Sequence, residues 1–214
     1  CALPIFLNDG TARFTVQRPA GKDRSTTYAC ELADLDGDGD LDLVTGNDRA
    51  PCQVFLNAGN GRFSFQGTFG KISSVRSLTL ADIDQDGDPD ALVTCRGRAN
   101  WISLNEGEGR FGETIEFGTA SDSTIDVGVG DVNGDGRPDL VLANRDGQPN
   151  AWMIQTGRLE FSRPMVFGDP KSQSRAVVLG DFNGDQRLDW AVGNIGQPNR
   201  RSEEHTSELQ SRQY

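Results

Sequence analysis

Four stretches of this chain set side-chain oxygens at alternate positions, and their spacing is that of a metal loop. In the first, Asp34, Asp36, Asp38 and Asp42 stand at places one, three, five and nine, with Asp40 at place seven. The frame returns in Asp82, Asp84, Asp86 and Asp90 around Asp88, in Asp131, Asn133, Asp135 and Asp139 around Arg137, and in Asp181, Asn183, Asp185 and Asp189 around Arg187. Oxygen donors in this pattern suit a hard cation such as Ca2+. The place-seven residue enters through its backbone carbonyl, so Asp40, Asp88, Arg137 and Arg187 are interchangeable there. Gly39, Gly87 and Gly136 at place six allow the sharp turn around an ion. Gln186 replaces that glycine in the fourth loop, where a side chain strains a left-handed residue, so the fourth site is the weakest expectation. Loops one and two carry five Asp each and are expected to bind more tightly than loops three and four, since ligand charge favours the ion.

Two other cation loops fail on position. An EF-hand needs flanking helices and a bidentate Glu at place twelve, but place twelve is Thr45, Val93, Leu142 and Val192. Parallel β-helix calcium repeats have a nine-residue period, far shorter than the one here. One such loop alone reads equally well as a solvated acidic turn. Four in register decide against that, because each also has apolar residues at places two and eight: Leu35 and Leu41, Ile83 and Pro89, Val132 and Pro138, Phe182 and Leu188.

The loops recur at steps of 48, 49 and 50 residues, so the elements that position them repeat too. Before each loop, residues alternate with period two: Cys30 and Leu32, Leu78 and Leu80, Val127 and Val129, Val177 and Leu179. That is a strand. It ends on a small residue (Ala33, Ala81, Gly130, Gly180), as expected where backbones converge. After each loop comes a continuous apolar run, Leu43-Val44-Thr45, Ala91-Leu92-Val93, Leu140-Val141-Leu142 and Trp190-Ala191-Val192, which predicts a strand covered on both faces. Asn47, Asn144 and Asn194 mark the next turn, with Cys95 in the second copy. A third strand is predicted at Ile5-Phe6-Leu7, Val54-Phe55-Leu56, Ile102-Ser103-Leu104 and Trp152-Met153-Ile154. The fourth is predicted to open with Arg13-Phe14, Arg62-Phe63, Arg110-Phe111 and Arg158-Leu159.

Four short antiparallel strands per period, with no helical pattern, make the blade of a β-propeller. The fold class expected is therefore all-β, a propeller fragment of about four blades with the Asp-rich loops between strands one and two. Residues 1–200 divide into a half blade (1–18), blades at about 26–70, 74–118 and 123–168, and a half blade (173–200). The run Arg201-Ser202-Glu203-Glu204-His205-Thr206-Ser207-Glu208-Leu209-Gln210-Ser211 resembles the in-frame translation of a common sequencing-adapter oligonucleotide, and residues 201–214 are read as non-native. The native chain is then expected to continue past Arg200. Its opening falls inside a repeat, so the absence of a signal peptide carries no information.

The Asp loops, the Phe-Gly pairs at Phe69-Gly70, Phe117-Gly118 and Phe167-Gly168, and the Asn-Asp-Gly and Gly-Arg-Phe turns resemble the FG-GAP/VCBS repeat family. Blades of that family also form the head of integrin α subunits. The resemblance covers residues 3–200, with Cys95 and Gln186 departing from the pattern. It implies a propeller, usually of seven blades, with Ca2+ between the first two strands of a blade, on a secreted, periplasmic or cell-surface protein.

Composition narrows the partners. The formal charge is -11, of which residues 1–200 carry -10. That balance argues against nucleic acid and anionic membrane, and no stretch is long enough for a transmembrane helix. The cysteines fit no zinc or redox spacing; Cys30 is expected to be a buried free thiol, and a Cys52–Cys95 disulfide is left open. A protein or glycan ligand is the leading expectation, with oligomeric state undetermined. Apart from His205 in the adapter-like tail the chain has no histidine, and no nucleophile and base pair up in sequence. A propeller scaffold of a secreted enzyme such as a polysaccharide lyase, or a structural module beside a catalytic domain, are the alternatives. Trp101, Trp152 and Trp190 would serve glycan binding if exposed, though aromatic residues in short strands are more often core.

Overall fold

The structure, a computed structural model, describes residues 3–16, 19–21, 25–171, 173–196 and 200–202. Every regular element among them is a β-strand. The chain divides into two compact units, residues 1–124 and 125–214. Among the described residues three sheets are four-stranded and antiparallel, the blades of a β-propeller fold, beside one three-stranded sheet and two hairpins.

Unit 1 opens with a hairpin of β1 (Phe6–Asn8) and β2 (Phe14–Val16). A sheet follows in the order β3 (Thr26–Ala33), β4 (Asp42–Asp48), β5 (Cys52–Asn57), β6 (Phe63–Phe69). A second has the order β7 (Val75–Ala81), β8 (Asp90–Cys95), β9 (Asn100–Asn105), β10 (Phe111–Phe117). The continuous apolar runs become β4 and β8, the second strands, and β8 is buried at every position. Each is covered on both faces because sheet packs on sheet: Val75 and Leu78 of β7 lie over Ala29 and Gly46 of the first sheet. A Cβ on Gly46 would come within 2.9 Å of Val75 Cγ1, so the small residue sets the approach of the sheets. Apolar burial of this kind is the main stabilising contribution.

The Phe-Gly pair has a packing cause. Phe69 stacks on Phe111 with ring centroids 4.3 Å apart and meets Trp101 edge-on at 6.0 Å. Gly70 follows with φ +73°, and a Cβ there would lie 2.1 Å from the Trp101 ring. Backbone conformation and space both demand glycine.

One expectation is corrected here, and a question left open is answered. Cys30 is a free thiol but exposed, not buried. In the second sheet the matching Leu78 is buried against the preceding sheet. Among the described residues only the β1–β2 hairpin precedes β3, and Leu32 on the same face is 54% exposed. Cys52 and Cys95 are both buried and both free, and burial pushes the Cys52 thiol up to about 12.

Unit 2 contains a sheet of β11 (Thr124–Gly130, its first residue at the boundary), β12 (Asp139–Asn144), β13 (Asn150–Met153) and β16 (Met165–Phe167). β14 (Gln155–Gly157) and β15 (Glu160–Phe161) form a separate hairpin. Arg158 and Leu159 are the turn of that hairpin, with Leu159 at φ +61°, and do not open a strand. The first two sheets have Gly61 and Gly109 at that place, and here Pro164, which has no N–H to donate, separates β15 from β16. A last sheet joins β17 (Ser174–Gly180), β18 (Asp189–Asn194) and β19 (Arg200–Ser202). The sequence predicts two strands there. β18 offers unpaired backbone groups along one edge, and β19 pairs with them, its Arg201 and Ser202 belonging to the adapter-like run.

Candidate metal centre

Each acidic loop is the connection between strands one and two of a sheet. In unit 1 the register closes it tightly: Ala33 lies opposite Asp42 and Ala81 opposite Asp90. In unit 2 Gly180 lies opposite Asp189. The small residue before these three loops therefore faces the place-nine Asp across the ladder.

Inside the loop the place-one carboxylate gathers backbone amides. Asp34 accepts from Gly37 N at 2.9 Å and Gly39 N at 3.0 Å. Asp82 accepts from Asp86 N and Gly87 N, both at 3.0 Å. Asp131 accepts from Gly134 N, Asp135 N and Gly136 N. Asp181 accepts from Gly184 N, Asp185 N and Gln186 N. Each loop then turns on two left-handed residues. At place six these are Gly39, Gly87, Gly136 and Gln186, the last at φ +70°, so the fourth loop keeps the common backbone despite its side chain. Place four is left-handed too, and there the second loop carries Gln85 at φ +64°. Sequence reasoning missed this second strained position, although Gly37, Gly134 and Gly184 at the same place signal it.

Place nine is a buried strut. Asp42 accepts from Leu35 N at 2.9 Å with one oxygen and from Asn57 N at 2.8 Å with the other. Asp90 does the same with Ile83 N at 3.1 Å and Asn105 N at 2.8 Å, and Asp139 with Val132 N at 3.0 Å and Gln155 N at 2.8 Å. One carboxylate thus ties the start of the loop to the end of the third strand. Burial is the chief influence on all three and raises their pKa, that of Asp90 to about 6. Asp189 keeps the first bond, from Phe182 N at 3.1 Å.

The first loop is held from outside as well. The carbonyl of buried Leu35 accepts from Gly109 N at 3.0 Å and Asn105 Nδ2 at 3.1 Å, both in or beside the hairpin of the next sheet.

The loops differ in which carboxylates meet. Asp34, Asp36 and Asp42 bring one oxygen each to within 4.8 Å of one another, and so do Asp82, Asp84 and Asp86. Two oxygens bound to one Ca2+ at about 2.3–2.6 Å lie at most roughly 5 Å apart, so both groups fit that ion. An oxygen has two lone pairs, so a carboxylate that accepts an amide can still ligate. Asp38 and Asp90 lie outside these groups; Asp38 receives Asp40 N at 2.8 Å. Loops three and four form no such three-carboxylate group among the described residues. In loop three Asp135 is engaged by the Arg137 guanidinium and by Asn133 Nδ2, while Arg137 Nε donates to Gln155 O at 2.8 Å. The side chain of Arg137 thus serves the loop as well as its backbone. In loop four Asn183 Nδ2 donates to Asp185 at 3.2 Å and Arg187 N to the same residue at 3.0 Å.

The tryptophans are core. Trp101 and Trp190 are buried, and Trp152 packs against Phe167 and Trp190. None offers an exposed platform for a sugar ring.

The FG-GAP-like repeat model matches residues 34–93, 82–142 and 131–192. No curated protein matches. Among solved structures, BBS1N in complex with ARL6DN (soaked with mercury) aligns with TM-score 0.54 at 13% identity, over 90% of this chain and 53% of that one. The Photorhabdus luminescens Tc holotoxin pore aligns with TM-score 0.50 at 19% identity, over 94% of this chain and 10% of that one. The chain spans about half the length of the BBS1N chain it matches.

Proposed function

The chain belongs to the FG-GAP-like repeat family, and from that premise we propose that it is a Ca2+-stabilised extracellular, periplasmic or cell-surface propeller module that binds a protein partner. The observation that carries the metal part is the meeting of three carboxylate oxygens in each of the first two loops. Left without a cation, those oxygens repel one another across a short distance. Bound Ca2+ supplies the countercharge, and the loops' own amides already fix the carboxylates. Asp34, Asp36, Asp38 and Asp42 with the Asp40 carbonyl would hold the first ion. Asp82, Asp84, Asp86 and Asp90 with the Asp88 carbonyl would hold the second. Loops three and four would hold further ions more weakly.

A protein partner is favoured over a glycan because the tryptophans are packed inward. The partner chain in the BBS1N complex is a protein on a related fold. Free calcium outside cells is high enough for sites of modest affinity, which supports the location. A binding scaffold also accounts for the Asp residues without acid–base chemistry; a role as scaffold of a secreted enzyme is the competing reading.

Calorimetric titration of the full chain with Ca2+ tests this, beside Asp34→Ala and Asp82→Ala variants. Two tight sites, each lost in one variant, are expected. Heat that is unchanged in both variants would overturn the assignment. Capture of a protein partner in Ca2+ and its release by chelator tests the binding half.

A further inference from the structure

The acidic loops lie at one end of the second strand of each sheet in unit 1, and the opposite end carries the reverse charge. There the β4–β5 and β8–β9 turns meet the connections that lead into β7 and β11. Arg49 N donates to Ser73 O at 2.8 Å, Arg96 N to Ser74 O at 3.0 Å, and Gly97 N to Asp122 O at 2.7 Å. These bonds clamp the segment Ser73–Ser74 between two arginine-bearing turns.

The edge so built carries Arg49, Lys71, Arg76, Arg96 and Arg98 against Asp48, Glu116 and Asp122. Asp48 is already used: it pairs with Arg76 at 3.2 Å, where both side chains are largely covered, and Arg76 lies 4.5 Å over the Tyr28 ring. Asp122 is held by Thr119. Lys71 reaches Glu116 at 2.6 Å. Arg49, Arg96 and Arg98 are exposed, Arg49 touching Asp48 only at 3.8 Å. Ile72, between Lys71 and the clamped Ser73, is 68% exposed. In a chain of net charge -11 this concentration of cations runs against composition. The matching turn of unit 2 is balanced, because Arg145 pairs with Asp146 at 3.1 Å.

We propose that this edge of unit 1 docks an acidic segment of a protein partner, one that also brings an apolar side chain to cover Ile72. The proposal rests on the reading of the chain as a protein-binding module. Arg49 and Arg98 supply charge for carboxylates; the Asp48–Arg76 pair, with Arg76 over the Tyr28 ring, lies beside Arg49. The exposed isoleucine favours a peptide, whose aliphatic side chain can cover it, over a sulfated or uronate polysaccharide, whose surface is chiefly hydroxyl and anionic groups. Exposed charges steer encounter more than they hold a complex, so binding must weaken with salt.

The test uses the full chain and an Arg49→Glu/Arg98→Glu double variant, whose changes sit on exposed turn residues and leave the melting temperature within a degree or so of the parent. Fluorescence anisotropy follows a labelled glutamate–leucine peptide and its glutamine–leucine counterpart; heparin retention is measured in parallel. The acidic peptide is expected to bind the parent, to weaken with added salt, and to lose roughly tenfold in affinity on the double variant. Ile72→Ser should weaken it further without changing heparin retention. Equal binding of both peptides, or no loss in the double variant, overturns the proposal. Heparin retention that depends on Arg49 and Arg98 with no peptide binding assigns the edge to a glycan and overturns it too. A natural partner captured equally by parent and double variant moves the docking site elsewhere while the module reading stands. Capture of no protein by either removes both.

Discussion

Place-nine aspartates do more than the residue pattern discloses. The sequence marks Asp42, Asp90 and Asp139 as candidate ligands because of their distance from place one. Their second task, joining loop to third strand through Asn57, Asn105 and Gln155, is invisible there, because the acceptor bonds go to backbone amides that any residue supplies. The cost of that task appears in the pKa. Asp90 rises to about 6 in the fold, mainly through burial, against an ordinary value of 3.8. A raised pKa means that the folded state favours the proton. The contribution is therefore fully present below about pH 4 and is lost as pH rises through about 6. In chelator, wild-type protein is expected to lose stability relative to Asp90→Asn between those limits. The variant starts lower, since an amide cannot accept both backbone bonds, but its denaturation midpoint should lack that slope. Parallel profiles from pH 4 to 7 would refute the burial account. Saturating Ca2+ should suppress the wild-type slope by holding the carboxylate ionised.

Strain at single positions is equally testable. Gln85 and Gln186 sit in left-handed conformations that glycine adopts freely. Gln85→Gly and Gln186→Gly are each expected to raise stability by about 1 kcal/mol, read from urea midpoints at constant Ca2+. Gln186 stood out in the sequence because three of the four loops have glycine at its place. Gln85 stands at a place with the same three-to-one glycine pattern, and its φ of +64° shows the same strain.

Strands one to three were legible as elements, because burial on both faces writes itself as an uninterrupted apolar run, as in β4 and β8. The outer strand was less so. β16 pairs with β13 only over Met165–Phe167, while β14 and β15 form a separate hairpin closed by Arg158 and Leu159. Pro164 marks the break between β15 and β16, because it has no N–H for the ladder. The Phe-Gly pair was legible as a motif, but its reason lies in the next sheet. Gly70→Ala would force Cβ into the Trp101 ring and onto an unfavourable φ. A loss of about 3 kcal/mol is expected, measured by chemical denaturation, with Trp101 fluorescence shifting in the native state. A loss under about 0.5 kcal/mol, the range of an ordinary surface change, would mean that the ring moves aside at no cost. At this scale the loops also rank. Loops one and two gather three carboxylates each, whereas loop three already spends Asp135 on Arg137 and Asn133. Titration of single-loop knock-outs should therefore find the first two sites tighter, and four equal affinities would refute the charge argument.

Across the whole chain the two units differ in what calcium can do for them. Unit 1 holds both loops with converging carboxylates; unit 2 begins at Ile125 and holds the two Asn-bearing loops. A ligand that binds only the folded state stabilises it by about 1.4 kcal/mol per site at roughly ten times Kd. Two such sites in one unit make the effect uneven along the chain. The first loop also reaches beyond its own sheet, since Leu35 O receives Gly109 N and Asn105 Nδ2 of the next one. Ordering the loop should therefore order that hairpin, although no metal ligand lies in it. Hydrogen-exchange mass spectrometry with and without Ca2+ makes the two statements separable. Protection is expected to rise over residues 26–117 more than over 124–194, and to include the β9–β10 hairpin around Gly109. Asp34→Ala should remove the gain at Gly109 while leaving that of the second loop. Protection confined to the loops themselves would show that the cation closes a turn without tightening the sheets, and an equal gain in both units would place the stronger sites elsewhere.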